Sequence, residues 1–190
     1  MARYSEPLAT GKHTGECEAL IEVAKLMMVS VRTAPKAAGK DDILTMVVYG
    51  KEKNELANKM DEIAEERGDD GFRRDGKNIQ DSEVVVLIGV RGNKSLGLNC
   101  GACGFERCNE FEKAPKQFGA DFMGPNCLYK ELDLGIALCS AAKTASTLNV
   151  DNRIMYRVGP AALQLNWLSD ATVVHGIPIS AKGKNIYFDR

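Results

Sequence analysis

No stretch of this chain approaches the ~18 consecutive apolar residues that a membrane-spanning helix needs. Neither sign of charge is in excess, since 25 basic and 26 acidic side chains leave a formal net charge of −1. Proteins that read nucleic acids or anionic membranes do so by surplus positive charge. Neither partner is therefore expected, and at most a local basic pocket for a small anion is left. The opening residues, MARYSEPLATGKHTG, lack the apolar core of a signal peptide. The cytoplasm, where thiols stay reduced, is the expected compartment. Histidine is scarce: His13 and His175 are too far apart in sequence to propose as a pair, and His175 lies in an apolar stretch where it reads as a satisfied core residue. There is no internal repeat, no low-complexity tract and no linker long enough to separate a pair of domains. Gly89 to Ser95 lacks the Gly-x4-Gly-Lys-Ser/Thr spacing of a phosphate loop, and no G-x-G-x-x-G run for a dinucleotide is present.

What remains is an ordinary globular composition, 44% apolar and 27% charged over 190 residues, enough for one hydrophobic core. Residues 1–14 are polar and read as extended, with Thr14 capping a helix to about Val31. Leu20, Val23, Ala24, Met27, Met28 and Val31 follow helical spacing there. Residues 32–40 read as a loop punctuated by Pro35 and Gly39. Ile43–Tyr49 reads as a buried strand, and Glu52–Arg67 as a helix with Leu56, Met60 and Ile63 on one face. Charged, glycine-containing Gly68–Gly76 reads as loop. Glu83–Val90 is apolar at nearly every position, so it belongs in the centre of a sheet. A helix is expected over Leu132–Leu148, a short one over Gly159–Leu168 with Pro160 in its first turn, and a closing strand over Thr172–Ile177. Strands and helices alternate around one sheet, which implies a single α/β (α+β) mixed-sheet domain with flanking helices over 1–190, carrying a cysteine-rich insertion over 99–127.

The six cysteines carry the chemistry. Cys100, Cys103, Cys108 and Cys127 stand as C-x2-C-x4-C-x18-C, four within 28 residues. In a reducing compartment such clustering points to metal binding rather than disulfides. Zinc sites also open with C-x2-C but usually close with a second tight pair. Three thiols from one tight loop and a fourth returning later is the pattern of an iron–sulfur cluster, with [4Fe–4S] the preferred form. Gly101 and Gly104 let the backbone wrap closely, N–H groups there can face the sulfides, and Gly124-Pro125-Asn126 turns the chain before Cys127. Cys139 reads as a packed core cysteine and Cys17 as incidental. Neither Cys127 nor Cys139 has a neighbouring histidine, so no catalytic thiol is assigned.

The segment Asn99–Cys108 with Cys127 resembles the cysteine motif of small four-iron ferredoxin-like domains, such as those in corrinoid iron–sulfur proteins. Most of the chain resembles a family of uncharacterised prokaryotic proteins described as containing a ferredoxin domain. The pieces that carry this are Arg32–Ala37, Arg74–Ile79, the cysteine run, Asp133–Ala137, Val150–Met155 and Gly183–Arg190. The order of elements is also similar to the flavin-dependent nitroreductase fold, with Arg32–Val48 as its loop and strand bordering the flavin. Asp133–Ser180 looks like its long helix, short helix and closing strand. That resemblance implies FMN at a homodimer interface, held by Arg32, Thr33, Ala34, Pro35, Lys36 and Lys184. The Gln-Pro-Trp pattern common after that loop is absent, and Lys40-Asp41-Asp42 stands in its place.

The expected function is an iron–sulfur redox protein, an electron-transfer module or an oxidoreductase also using FMN. Its partner would be an electron donor or acceptor protein or a small redox substrate. The competing expectation is a non-catalytic zinc or iron–sulfur protein with a structural or sensing role.

Overall fold

A computed structural model describes residues 14–188. The extended segment, His13 and Arg190 lie outside them, as does the side chain of Thr14. The centre of the structure is β2 (Val84–Val90), buried at all seven positions. Its neighbours are β1 (Ile43–Tyr49) and β6 (Val173–Ser180), and a two-residue β5 (Asp151–Asn152) closes the far edge in the order β1-β2-β6-β5. Successive strand side chains point to opposite faces. Val84, Val86, Ile88 and Val90 accordingly enter one core and Val85 and Leu87 the other. β2 has strands on both sides and helices on both faces, so no position along it meets water.

The sheet is antiparallel throughout rather than mixed as expected. The reason lies in the connections. One helix between two strands returns the chain to the end where it started and makes them parallel. Between β1 and β2 stand two helices, α2 (Gly50–Arg67) and α3 (Asp70–Asp81), so the chain enters β2 at the end where it left β1.

One face of the sheet is covered by α1 (Thr14–Thr33) and α5 (Leu128–Thr147), the other by α2, α3 and α6 (Val158–Gln164). Leu20, Ala24, Met27 and Val31 form the inward stripe of α1. Opposite it α5 buries Ala137, Ala141 and Ala145, whose small side chains let the two helices approach closely. Cys139 belongs to the other side of α5, with Leu132 and Ile136, and is exposed rather than in the core.

The expected loop at Gly68–Gly76 is instead the start of α3. Asp69 caps it by accepting a hydrogen bond from the Gly71 N–H (2.7 Å), and Phe72, Asp75, Gly76 and Ile79 form its buried face. Gly76 is there for contact, because a Cβ would lie 3.3 Å from Met60 Cβ and 3.4 Å from the Ala57 carbonyl on α2. Among the described residues no helix is long and apolar enough to cross a membrane.

Within β2, Gly89 faces Ala171 and Val174 so closely that a Cβ would stand 2.8 Å and 2.9 Å from their side-chain carbons and 3.0 Å from the Val173 carbonyl. Gly89→Ala is expected to lower stability by about 1–3 kcal/mol through this overpacking. Urea unfolding would register it as a lower midpoint with an unchanged slope, and an unchanged midpoint would refute the contact.

Candidate metal centre

The cysteine segment leaves the sheet at a junction. The Gly92 N–H donates to Thr172 Oγ1 (2.9 Å), the Thr172 N–H to the Val90 carbonyl (2.8 Å) and the Arg91 N–H to the Asp42 carbonyl (3.1 Å). The Cys127 N–H then donates to the Gly92 carbonyl (2.8 Å), which brings the last cysteine back to where the segment began. Cys127 is buried and is the N-cap residue of α5. Its side chain thus stands at the N-terminus of a 20-residue helix.

The other three thiols are gathered by local turns. The Asn99 side chain accepts from the Cys108 N–H (2.9 Å), while the Asn99 N–H donates to Cys108 Sγ (3.3 Å). Between these residues the Gly104 N–H bonds the Gly101 carbonyl (3.0 Å), and both glycines have positive φ, 85° and 72°. Cys108 then opens the short helix α4 (Cys108–Lys113), and a two-residue hairpin, β3 (Gln117–Phe118) and β4 (Met123–Gly124), leads on to Cys127. All four thiols, Cys100, Cys103, Cys108 and Cys127, line one cavity. Its wall is apolar, with Leu96, Leu98, Phe111 and Leu128, and Phe105 meets Phe111 edge-on at 5.8 Å between ring centres. None of the four is in a disulfide.

The spacing of the thiols matters. A tetrahedral zinc ion with Zn–S near 2.3 Å draws its sulfurs to within about 3.8 Å of one another. Among the described residues no three His, Cys, Asp or Glu side chains gather closely enough to hold a single ion. Residues that the cysteine spacing did not announce complete the surroundings. Asn99 ties Cys108. Lys116 Nζ lies 3.8 Å above the Phe111 ring. Lys130, fully buried, pairs with Asp42 (2.7 Å) and donates to the Lys40 carbonyl (3.0 Å), fixing the 40–42 loop to the start of α5.

Within one chain the residues expected around a flavin have the following partners. Arg32 pairs with Asp41 and donates to the Ile43 carbonyl (3.2 Å). Lys36, its side chain nearly buried, donates to the Val31 and Arg32 carbonyls and so caps the C-terminus of α1. Thr33 Oγ1 bonds the Val29 carbonyl (3.1 Å), and Ala34 and Pro35 lead into a 3-10 turn, Ala37–Gly39, held by Ala37 N–H on Asp133 Oδ1 (2.8 Å). All of these lie at the Ile43–Val90–Val173 end of the sheet. Lys184 follows β6 at the other end, where Ile179 pairs with Val84 and Lys182 bonds the Asp81 carbonyl and Glu83. One chain therefore does not bring Arg32, Lys36 and Lys184 together. His175 stacks on Phe122 at 5.9 Å with its Nδ1 buried and unpartnered, so it is not the satisfied core residue expected.

The overall arrangement is that of a nitroreductase-like protein, a central antiparallel sheet between helical layers. A nitroreductase of Desulfitobacterium hafniense with bound FMN superposes with a TM-score of 0.55 at 11% identity, over 86% of this chain and 78% of that one. An FMN-dependent nitroreductase of Clostridium difficile gives 0.52 at 15%, over 88% and 80%. At such identities the likeness is one of fold. Residues 123–190, which include Cys127, match the family model described as "Uncharacterized protein containing a ferredoxin domain (DUF2148)". An uncharacterized protein of Archaeoglobus fulgidus is 49% identical over 171 residues, 90% of this chain and 91% of its own length. The chain belongs to this ferredoxin-domain family.

Four residues past Cys127, Glu131 Oε1 is buried without a partner near the equally unpartnered Asn126 Oδ1. A Cβ on Gly92 would lie 2.5 Å from each. Burial pushes the Glu131 carboxyl up from 4.5 to about 7. The folded protein thus holds this proton more tightly than the unfolded chain. The contribution of this group to stability is full below pH 4.5 and falls as pH rises toward 7, by on the order of 3 kcal/mol. Urea titrations of cluster-free protein at pH 5 and pH 8 are expected to register that loss, and Glu131→Gln to flatten it. Equal slopes of stability against pH in the two proteins would exclude Glu131 as the source.

Proposed function

We propose that Cys100, Cys103, Cys108 and Cys127 hold a [4Fe–4S] cluster and that this chain moves single electrons for a redox reaction. The observation that carries this reading is the convergence of all four thiols on one apolar-walled cavity. Such a cluster, when bound, supplies one-electron storage. The chain's own groups hold and tune it. The Asn99 N–H donates to Cys108 sulfur, apolar side chains wall the cavity, and Cys127 is held at the N-terminus of α5.

Access to a partner is offered on the Cys108 side. A polar groove of about 530 Å3, lined by Lys40, Asn99, Arg107, Asn109 and Glu112, shares Cys108 with the cluster cavity. A small redox substrate or the surface of an electron donor or acceptor protein fits there. The nitroreductase-like fold supports FMN as a second cofactor. Arg32 and Lys184 lie at opposite ends of the sheet, so a flavin gripped by both needs two protomers. A homodimer is also supported by apolar side chains left exposed on α1 and α5: Leu26, Val29, Leu132 and Ile136.

Anaerobically purified protein is expected to hold about four iron and four sulfide per chain, with a broad visible absorbance. Cys100→Ser and Cys127→Ser should each lose most of it, whereas Cys139→Ser should keep it. One zinc per chain without sulfide would replace this reading with the structural one. FMN measured in the same samples, and sedimentation at twice the chain mass, test the flavin and the dimer separately.

A further inference from the structure

Lys116 has no place in the cysteine pattern, yet it is anchored to the cavity wall. It follows α4 by three residues, and its Nζ donates to the Phe111 carbonyl (2.8 Å) while lying 3.8 Å above the Phe111 ring. Phe111 is fully buried and its ring forms a portion of the wall around the four thiols. The ammonium is therefore held by two contacts in one direction, unlike a surface lysine that sweeps through solvent. Burial holds its pKa below the ordinary lysine value, and Cys103 and Glu112 pull it back up. Cys103 thus lies within electrostatic reach. Glu112 is engaged by the Ser95 hydroxyl, which donates to it (2.6 Å). The neighbouring Lys113, in the last turn of α4, is exposed.

A cluster held by four thiolates is negative, and reduction adds one further negative charge with no bond made or broken. A fixed cation at its edge stabilises the reduced form more than the oxidised form, and so raises the potential. We propose that Lys116 is a positioning charge of this centre: its ammonium, fixed on the carbonyl and over the ring of Phe111, which walls the cysteine cavity, biases the centre toward its reduced state. This inference rests on the iron–sulfur reading above. It assigns to one residue outside the ligand set a share in setting the direction of electron flow.

The test is an anaerobic redox titration followed by absorbance and electron paramagnetic resonance on wild type, Lys116→Gln, Lys116→Arg and Lys113→Gln. Lys116→Gln is expected to shift the reduction equilibrium about tenfold toward the oxidised form, a fall of about 59 mV for one electron. The shift should shrink in high salt, because the site is only partly buried. Lys116→Arg should restore the wild-type value, and Lys113→Gln should leave it unchanged. If Lys116→Gln fails to take up iron, Lys116→Met keeps the stem over Phe111 and carries the same expectation. Equal midpoints in wild type and in a fully loaded Lys116 variant overturn the proposal while leaving the cluster in place. A wild-type protein without iron and sulfide overturns the iron–sulfur reading itself, and this inference with it.

Discussion

The hydrogen bond from the Cys127 N–H to the Gly92 carbonyl closes the whole cysteine segment onto the end of the central strand. At that junction β2 ends, β6 begins, and α5 starts its first turn. Thr172 and Gly92 stitch the two strands, and the Asp42 carbonyl brings in the start of β1. Any larger residue at position 92 would require neighbouring side chains to shift. A Cβ would come within 2.7 Å of Asn126, Glu131 and Thr172 oxygens. The fourth thiol is thus placed by the same backbone contacts that terminate the sheet. The remaining three need only reach it, which the local turns between Asn99 and Cys108 allow.

Charge is used sparingly but at depth. Lys130 and Asp42 form a pair in which the ammonium is almost completely buried. Removing either partner would leave an uncompensated charge, a loss of about 3–5 kcal/mol. The pair holds the 40–42 loop against α5, beside the groove that Lys40 lines. Lys36 is taken up by the carbonyls at the end of α1. Lys36, which looks available for a ligand in the sequence, therefore has a different task, while Arg32 and Lys40 remain exposed.

The strands and the amphipathic helices were legible because their signals are local. Ile43–Tyr49 has the boundaries its pattern implies, and β2 reads as central from its composition alone. α3 was hidden because Gly71, Gly76 and its charges argue for a loop. Its stability comes from the Asp69 cap and from α2, whose backbone Gly76 approaches. Cys139 was misread because a helix with many small residues has no clear apolar stripe. The side facing α1 is set by Ala137, Ala141 and Ala145, and Cys139 falls on the other side.

By itself the sequence determined the identity and spacing of the four cysteines proposed as ligands, since the three-plus-one pattern is read directly along the chain. It also determined the strand at the centre, because only a segment covered on both faces tolerates seven apolar positions in succession. Tertiary structure alone decided that Cys127 joins the other three thiols along one cavity, that Lys116 lies against the Phe111 wall of it, and that Arg32 and Lys184 stand at opposite ends of the sheet. The return of Cys127 and the separation of Arg32 from Lys184 relate residues far apart in the chain. Such distances are set by strand order and by the two-helix crossover between β1 and β2, neither of which any local pattern of residues encodes.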